Sequence, residues 1–318
     1  MRIWQKIVLG FTFLILVLVT TGTVYFAKFL SDTSQTMANI YVPVERIDAP
    51  QRDIDFSQLE PFSILLLGVD TNSEREGDGD GGRTDSMIVA TINPGKEQTT
   101  LVSIPRDTLV YMDYDYDGYT VGWDKVNSAY AYGGEALAIH VVEKLLDIPI
   151  DHVATVNMDG MIELIDAVDG IDVDNQFTFE LDGEYFEPGM QHMNGRRSVM
   201  YARMRYEDER GDYGRQERQR EVLGKVFDKL KSVDIITKYQ SLLEVLSKNG
   251  QTDLSWQQIE PLLDYLPALK NFTSDQLQGE DYIGDGETGM EEISYQKASE
   301  YELDRVQALL KDQLQQVE

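Results

Sequence analysis

Between Arg196 and Arg220 the chain places eight arginines: Arg196, Arg197, Arg203, Arg205, Arg210, Arg215, Arg218 and Arg220. Guanidinium groups grip phosphate and carboxylate oxygens through planar, paired hydrogen bonds, so such a cluster points to an anionic ligand. Spacing sorts the eight. Asp212 reads as the N-cap of a helix running to about residue 231, with Val222, Val226 and Leu230 as its core-facing stripe. Carried back at helical spacing, the stripe passes through Gln219 and Arg215, which points Arg215 inward at the first turn. A helix start has free N–H groups and about half a positive charge, so an inward arginine and an amide beside it suit phosphate. Arg203 and Arg205 end the preceding helix and can converge on the same place. Arg210, Arg218 and Arg220 have Glu207, Asp208, Glu209 and Glu217 as neighbours and read as surface ion pairs.

Carboxylates recur at strand ends. Gly68-Val69-Asp70 closes one apolar run, and Arg83-Thr84-Asp85 opens the next. Asp70 and Asp85 together could share Mg²⁺, which takes one or two carboxylates plus substrate phosphates. A third strand ends in Ser103-Ile104-Pro105-Arg106-Asp107. In open α/β sheets ligands sit beyond the carboxyl ends of strands. Each aspartate alone reads as a turn or cap residue; the recurrence is what suggests a site.

The elements that must hold these residues follow from pattern. Phe62–Asp70 is an unbroken apolar run, the signature of a central strand covered on both faces. Two strands, 86–94 and 99–107, flank a short Gly-Lys-Glu-Gln turn and form a hairpin. Leu137, Val141 or Val142, and Leu145 mark a helix, 152–158 a short strand, and 160–171 a helix ending near Gly170. Asn194 caps the helix that carries Arg203. Amphipathic segments fill 235–270 and 300–316. Strands alternating with helices predict an α/β domain with its sheet sandwiched between helices.

Composition narrows the partners. The chain has 318 residues and a formal net charge of −28, which argues against nucleic acid. It has no cysteine, so disulfides, thiolate metal sites and cysteine nucleophiles are excluded. Its three histidines, His140, His152 and His192, are far apart in sequence. Ile7–Ala27 is uncharged and as a helix would rise about 31 Å, enough to cross the hydrocarbon core. Arg2 and Lys6 precede it, so the positive-inside bias leaves the N-terminus in the cytoplasm and the rest outside the cell. A cleaved signal peptide competes, but the run is long for one and lacks a small-x-small cleavage site. The expected layout is a cytoplasmic tail at 1–6, a single-pass membrane anchor at 7–29, a polar tether or irregular collar at 30–60, and a domain at 61–318. Core motifs occupy 62–231, and 232–318 completes the domain with helices.

The segments "LLLGVD", "RTDSMIVATINP", "SIPRD", "KVNSAYAYGG", "IPIDHVATVNM", "VDGIDVD", "YARMR" and "DYGRQERQ" occur in that order across residues 60–230. Together they resemble the LytR-CpsA-Psr family of cell-wall glycopolymer ligases. The resemblance implies an α-β-α fold with a mixed central sheet. It also implies an extracellular phosphotransferase that moves a teichoic-acid or capsular glycopolymer from a polyprenyl-pyrophosphate carrier to peptidoglycan. By motif, Asp70 and Asp85 would hold Mg²⁺, or Mn²⁺ in its place. Arg83, Arg106, Arg203, Arg205, Arg215 and Gln219 would hold the pyrophosphate. A sugar hydroxyl attacks the phosphorus bearing the polymer, and arginines and the ion stabilise the growing charge. Arg106 shares in that stabilisation, and Asp85, Asp107 and Asp212 are unranked candidates for the proton acceptor. The lipid needs an apolar groove between sheet and helices. A non-catalytic membrane-anchored binder of polyprenyl phosphates is the alternative reading, and pyrophosphate hydrolysis a side activity of the same chemistry.

One stretch departs from the family pattern. In "YMDYDYDGYTVGWDK", Asp113, Asp115, Asp117 and Gly118, with Asp124 at the twelfth place, echo a Ca²⁺ loop. Flanking helices are missing and Asp replaces the bidentate Glu, so a solvated acidic loop is the default reading.

Overall fold

The apolar run after residue 61 becomes the middle of the sheet. The structure is a computed structural model that describes residues 27–48, 50–70, 82–230, 235–284 and 292–316. Strand β1 (Phe62–Val69) lies antiparallel to β2 (Thr84–Asn93), which turns back into antiparallel β3 (Gln98–Ser103). The hairpin expected from sequence is present. A second, separate hairpin follows, β4 (Leu109–Tyr116) and β5 (Tyr119–Lys125). Helix α2 (Ser128–Leu146), kinked at Gly133 and Gly134, crosses to β6 (His152–Asn157), which pairs parallel with β1. The chain before these strands forms helix α1, residues 27–40. Most of the expected anchor, residues 7–26, lies outside the described residues; among those described, no helix is long and apolar enough to cross a membrane.

Alternation decides the faces. Leu65, Leu67, Met87, Val89 and Val102 turn to one side, against Leu137, Ile139, Val141 and Val142 of α2 and Val306 and Leu310 of α8 (Glu300–Gln313). Leu65 is fully buried, worth about 1.5–3 kcal/mol, and a charge there would have no partner. Phe62, Ile88, Ala90, Ile92 and Leu101 turn to the other side, against Phe56, Leu254 and Tyr265 and, at its edge, Leu223. Helix α3 (Met158–Ala167), the two-stranded ribbon of β7 (Ile171–Asn175) and β10 (Gly189–Met193), and the short hairpin β8 (Phe179–Leu181) and β9 (Glu184–Phe186) build a neighbouring lobe. Helices α4 (Gly195–Arg203) and α5 (Asp212–Leu230) bind that lobe through Met200, Tyr201, Val222 and Val226. Asn194 caps α4 as expected, its Oδ1 accepting from Arg197 N at 3.0 Å.

Three expectations are corrected or sharpened. The segment after 232 is not helical throughout. Besides α6 (Ile235–Asn249), the one-turn α7 (Trp256–Ile259) and α8, it supplies β11 (Gly250–Thr252) and β12 (Phe272–Gln276), the two edges of a six-stranded mixed sheet ordered β11–β6–β1–β2–β3–β12. It also adds the hairpin β13 (Glu280–Gly284) and β14 (Ile293–Lys297). The polar stretch after α1 is a collar rather than a free tether. Arg46 reaches Asp253 at 2.9 Å, and Arg52 grips Asp151 with two bonds of 2.6 Å, while Ser63 N donates to the same carboxylate. The acidic run is the tip of the β4–β5 hairpin. Asp117 and Gly118 both have positive φ, the demand of a two-residue hairpin turn, and Asp115 Oδ1 accepts from Gly118 N. Asp124 is buried at the hairpin base, bonded to the Tyr132 hydroxyl at 2.9 Å.

Candidate functional site

Four chain segments end at one place. Pairing of Val69 with Thr84 puts Asp70 and Arg83 side by side, and Asp70 N donates to Arg83 O at 2.9 Å. One residue on, Asp85 Oδ1 accepts from Arg106 Nη1 at 2.7 Å. Arg106 is presented by the turn after β3, where Thr108 N and Thr108 Oγ1 both donate to Pro105 O. Behind it, Asp107 lies 3.7 Å from Arg106 Nε and accepts from Lys125 Nζ at 2.7 Å. Burial pulls the Arg106 pKa down, but the Asp85 hydrogen bond and the charges of Asp85, Asp107 and Asp212 outweigh it and hold the group above the usual arginine value.

Helix α5 delivers the opposite wall. Its stripe runs as the spacing predicts, with Val222 and Val226 buried and Arg215 5% exposed. Asp212 differs from expectation. It lies in the first turn rather than at the cap, and its carboxylate faces side chains: Oδ2 accepts from Gln216 Nε2, and Oδ1 lies 2.6 Å from Arg215 Nη2. The angle at that approach is poor. Arg215 Nε and Nη2, Arg106 Nε and Asp212 Oδ1 are all buried with no hydrogen bond. Burial pushes the Arg215 pKa down; Asp212 and Asp85 oppose this, and Arg106 and Arg205 add repulsion. Buried N–H groups of charged arginines without acceptors are costly, at about 1–3 kcal/mol each or more, so the geometry is complementary to an incoming anion.

A cavity of about 560 Å³ connects these groups to the interior. Asp85, Arg106, Arg203, Arg205, Arg215 and Gln219 line its polar end. Its other walls are apolar: Leu66 and Ile88 of the sheet, Met161 and Leu164 of α3, and Val222, Leu223 and Phe227 of α5. Met37 and Ile40 of α1 close it on one side. The groove expected between sheet and helices is therefore present. Asp70, Arg83, Asp107 and Asp212 do not line it. Asp107 and Asp212 stand behind Arg106 and Arg215, and Arg83 is exposed.

Of the three arginines read as surface ion pairs, only Arg210 is one, half exposed and paired with Asp208 and Glu217. Arg218 is buried. It donates to Asp208 Oδ2 at 2.5 Å and to the carbonyls of Tyr201 and Met204, closing the end of α4 just where Arg203 and Arg205 emerge. Asp208 packs so closely on α5 that a Cβ at Gly214 would lie 1.8 Å from its Oδ2. Arg220 is buried too, donating to Ser103 Oγ at 2.7 Å and Gln276 Oε1 at 3.1 Å, so it fixes α5 to β3 and β12. The acidic neighbours in sequence hid both roles. The invariance of helical geometry offered one signal for Arg218, which shares the inner half of α5 with Arg215 and Val222.

Among the described residues no three acidic or histidine side chains converge on a point that could hold a metal. The aromatic cluster of Phe56, Phe62 and Tyr265 encloses His152, far from Asp85 in the sheet register.

Comparison with known proteins agrees with the geometry. The sequence profile of the LytR_cpsA_psr family matches residues 25–312. The polyisoprenyl-teichoic acid--peptidoglycan teichoic acid transferase TagU of Enterococcus faecalis is 45% identical over 289 residues, covering 91% of this chain and 90% of that protein. The crystal structure of protein gbs0355 from Streptococcus agalactiae superposes with a TM-score of 0.75 at 38% identity, covering 84% of this chain and 92% of that one. TagT bound to LIIa-WTA superposes with a TM-score of 0.66 at 28% identity, over 86% and 99% of the two chains. The fold is thus the mixed α/β fold of those structures, and the chain belongs to the LytR_cpsA_psr family.

Proposed function

We propose that the protein is a phosphotransferase that moves an anionic glycopolymer, of teichoic-acid or capsular type, from a polyprenyl-pyrophosphate carrier to peptidoglycan. One observation carries the reading. A single cavity joins two under-bonded guanidiniums, the buried Arg215 and the part-buried Arg106, to an apolar channel, which matches a lipid whose headgroup is a pyrophosphate. The names of the relatives support it: TagU as a teichoic acid transferase, and TagT with LIIa-WTA bound.

In this reading the prenyl chain lies along Leu66, Met161, Val222 and Phe227, and the pyrophosphate among Arg106, Arg203, Arg205, Arg215 and Gln219. The acceptor hydroxyl oxygen bonds to the phosphorus that carries the polymer, the bridging P–O bond breaks, and polyprenyl phosphate leaves with the electron pair. Arg106 and Arg215 meet the charge that grows on the bridging and leaving oxygens. Of the three aspartates weighed as proton acceptor, Asp85 lines the cavity; Asp107 and Asp212 orient Arg106 and Arg215 from behind. Arg83, exposed and outside the cavity wall, would meet the pyrophosphate only from the solvent side. Water in place of the sugar hydroxyl gives pyrophosphate hydrolysis as a side reaction.

The donor set suits Mg²⁺ or Mn²⁺. Asp70 and Asp85 flank paired strand ends with no third carboxylate among the described residues, so phosphate oxygens and water would complete the shell. Bound there, the ion would neutralise phosphate charge. Ca²⁺ at Asp113, Asp115, Asp117 and Asp124 finds no such support, because Asp115 and Asp124 already serve the turn and Tyr132. The domain at 61–318 would stand outside the cell on an uncleaved anchor at 7–29, and α1 would lead the lipid from the membrane into the cavity through Met37 and Ile40.

The test incubates the full chain in detergent with a lipid-pyrophosphate-linked sugar polymer, Mg²⁺ and a peptidoglycan oligomer. Covalent product in wild type and none with Asp85→Ala or Arg215→Ala is the expected result. Tight lipid binding with no product under any condition would establish the non-catalytic binder instead.

A further inference from the structure

The β4–β5 hairpin carries aromatic side chains with no role in the core. Tyr111 is 49% exposed and Trp123 43% exposed. They face each other across the two strands, ring centroids 5.5 Å apart and planes at 62°. The strand register slips between Tyr111 and Tyr114. A bulge of this kind re-aims side chains. Here Val110 and Met112 go into the core and Tyr114 packs against it, while Tyr111 and Trp123 stay in solvent.

The hairpin is tied to the candidate site through its base. Trp123 is two residues, about 6.6 Å of strand, from Lys125. Lys125 Nζ bonds Asp107 Oδ1 at 2.7 Å, Asp107 lies 3.7 Å from Arg106, and Arg106 bonds Asp85 at 2.7 Å. The hairpin base is therefore tied to the turn that presents Arg106.

We propose that Tyr111 and Trp123 form a docking shelf for the acceptor, a peptidoglycan glycan strand. Exposed rings whose flat faces are apolar and whose edges carry polar groups suit sugar rings, which offer apolar C–H faces and a rim of hydroxyls. Charge selects between the two polymers of the reaction. Asp113, Asp115 and Asp117 cluster toward the hairpin tip, with no lysine or arginine between Asp107 and Asp124. That field repels an anionic glycopolymer and tolerates an N-acetylated amino-sugar backbone, whose amide and hydroxyl hydrogens can donate to Asp113. The proposal rests on the transferase reading for its purpose, though not for its binding.

The experiment uses the full chain in detergent and a soluble, uncrosslinked peptidoglycan strand. Binding is read from the fluorescence of Trp123, assigned by loss of the change in Trp123→Phe. Transfer is read as separate KM values for acceptor and donor. A fluorescence change in wild type, with a rise of about tenfold in acceptor KM and an unmoved donor KM in the Tyr111→Ala/Trp123→Ala variant, is the expected result. If that variant fails to fold, the wild-type titration decides. No change with the glycan strand, an unaltered acceptor KM, or a response to an anionic teichoic-type polymer in its place would each overturn the shelf. Glycan binding at Trp123 without transfer would keep the shelf and sink the transferase reading.

Discussion

Replacing Arg215 by methionine separates a phosphate anchor from a structural ion pair. The side chain is 5% exposed, and its Nε and Nη2 have no hydrogen bond although Asp212 Oδ1 lies 2.6 Å away. Two charge-assisted bonds from those nitrogens to phosphate, at about 1.5–3 kcal/mol each, total ~3–6 kcal/mol. Losing them lowers affinity for a prenyl pyrophosphate by about 10²–10⁴-fold. Thermal unfolding of the full chain in detergent, titrated with polyprenyl pyrophosphate, reads this directly. At ~100 times Kd the ligand adds about 2.7 kcal/mol. At roughly 2–4 °C per kcal/mol for a chain of this size, wild type gains about 5–10 °C. In Arg215→Met the gain disappears at the same concentration. Arg210→Gln keeps it, because the half-exposed Arg210 pairs with Asp208 and Glu217, away from the cavity wall. The comparison cancels whatever the variant does to the free protein, including the loss of a partner for Asp212. A wild-type gain retained by Arg215→Met would refute the reasoning, and so would an equal loss in Arg210→Gln.

Three further outcomes follow from the same contacts. Arg218→Met leaves the buried Asp208 with Arg210 alone and the Tyr201 and Met204 carbonyls without their donor, which costs about 1–3 kcal/mol, measured as a lower urea midpoint at unchanged slope; no change in midpoint would contradict the geometry. Burial raises the Asp208 pKa, but Arg218 and Arg210 outweigh it and hold the carboxyl below its ordinary value. Its stabilising contribution is therefore complete above the usual aspartate range near 4, and disappears as pH falls through the lowered folded value; Asp208→Asn flattens that acid limb in pH-dependent unfolding. Ile40→Asp places a charge in the cavity wall and weakens binding of long-chain donors more than of a donor with a two-unit prenyl chain, seen as a lost dependence of KM on chain length.

The parts of the fold legible in the sequence are those whose own burial dictates them. Phe62–Val69 must be covered on both faces, so its central place follows from composition alone. Arg215 was legible because Val222 and Val226 set the phase of α5, and a rigid helix carries that phase back to its first turn. The edge strands β11 and β12 were not. Gly250–Thr252 is three residues long, and Phe272–Gln276 is polar in four of five residues and partly exposed. Their order comes from hydrogen bonds to β6 and β3, strands already built from distant sequence. Arg220 was hidden for the same reason, since one of its partners, Gln276, sits on one of those unseen strands. The Asp117-Gly118 turn is visible too: a two-residue Asp-Gly between alternating aromatic and polar positions signals a hairpin, and the solvated acidic loop is its tip.

The arrangement also explains how so acidic a chain concentrates arginines without scattering them by repulsion. Each guanidinium held back from solvent keeps a carboxylate at close range: Asp85 for the part-buried Arg106, Asp212 for Arg215, and further from the cavity Asp208 for Arg218. Those pairs lower the cost of burying positive charge. They do not exhaust it, because Arg106 and Arg215 still carry N–H groups with no acceptor. A fully satisfied network would have made a stiffer core with nothing left to bind. An unpaired cluster would have pushed its members apart or into solvent. The partial pairing at Arg106 and Arg215 holds the guanidiniums in place and leaves their remaining donors for a diphosphate, which neither neutral lipid nor a lone carboxylate can match.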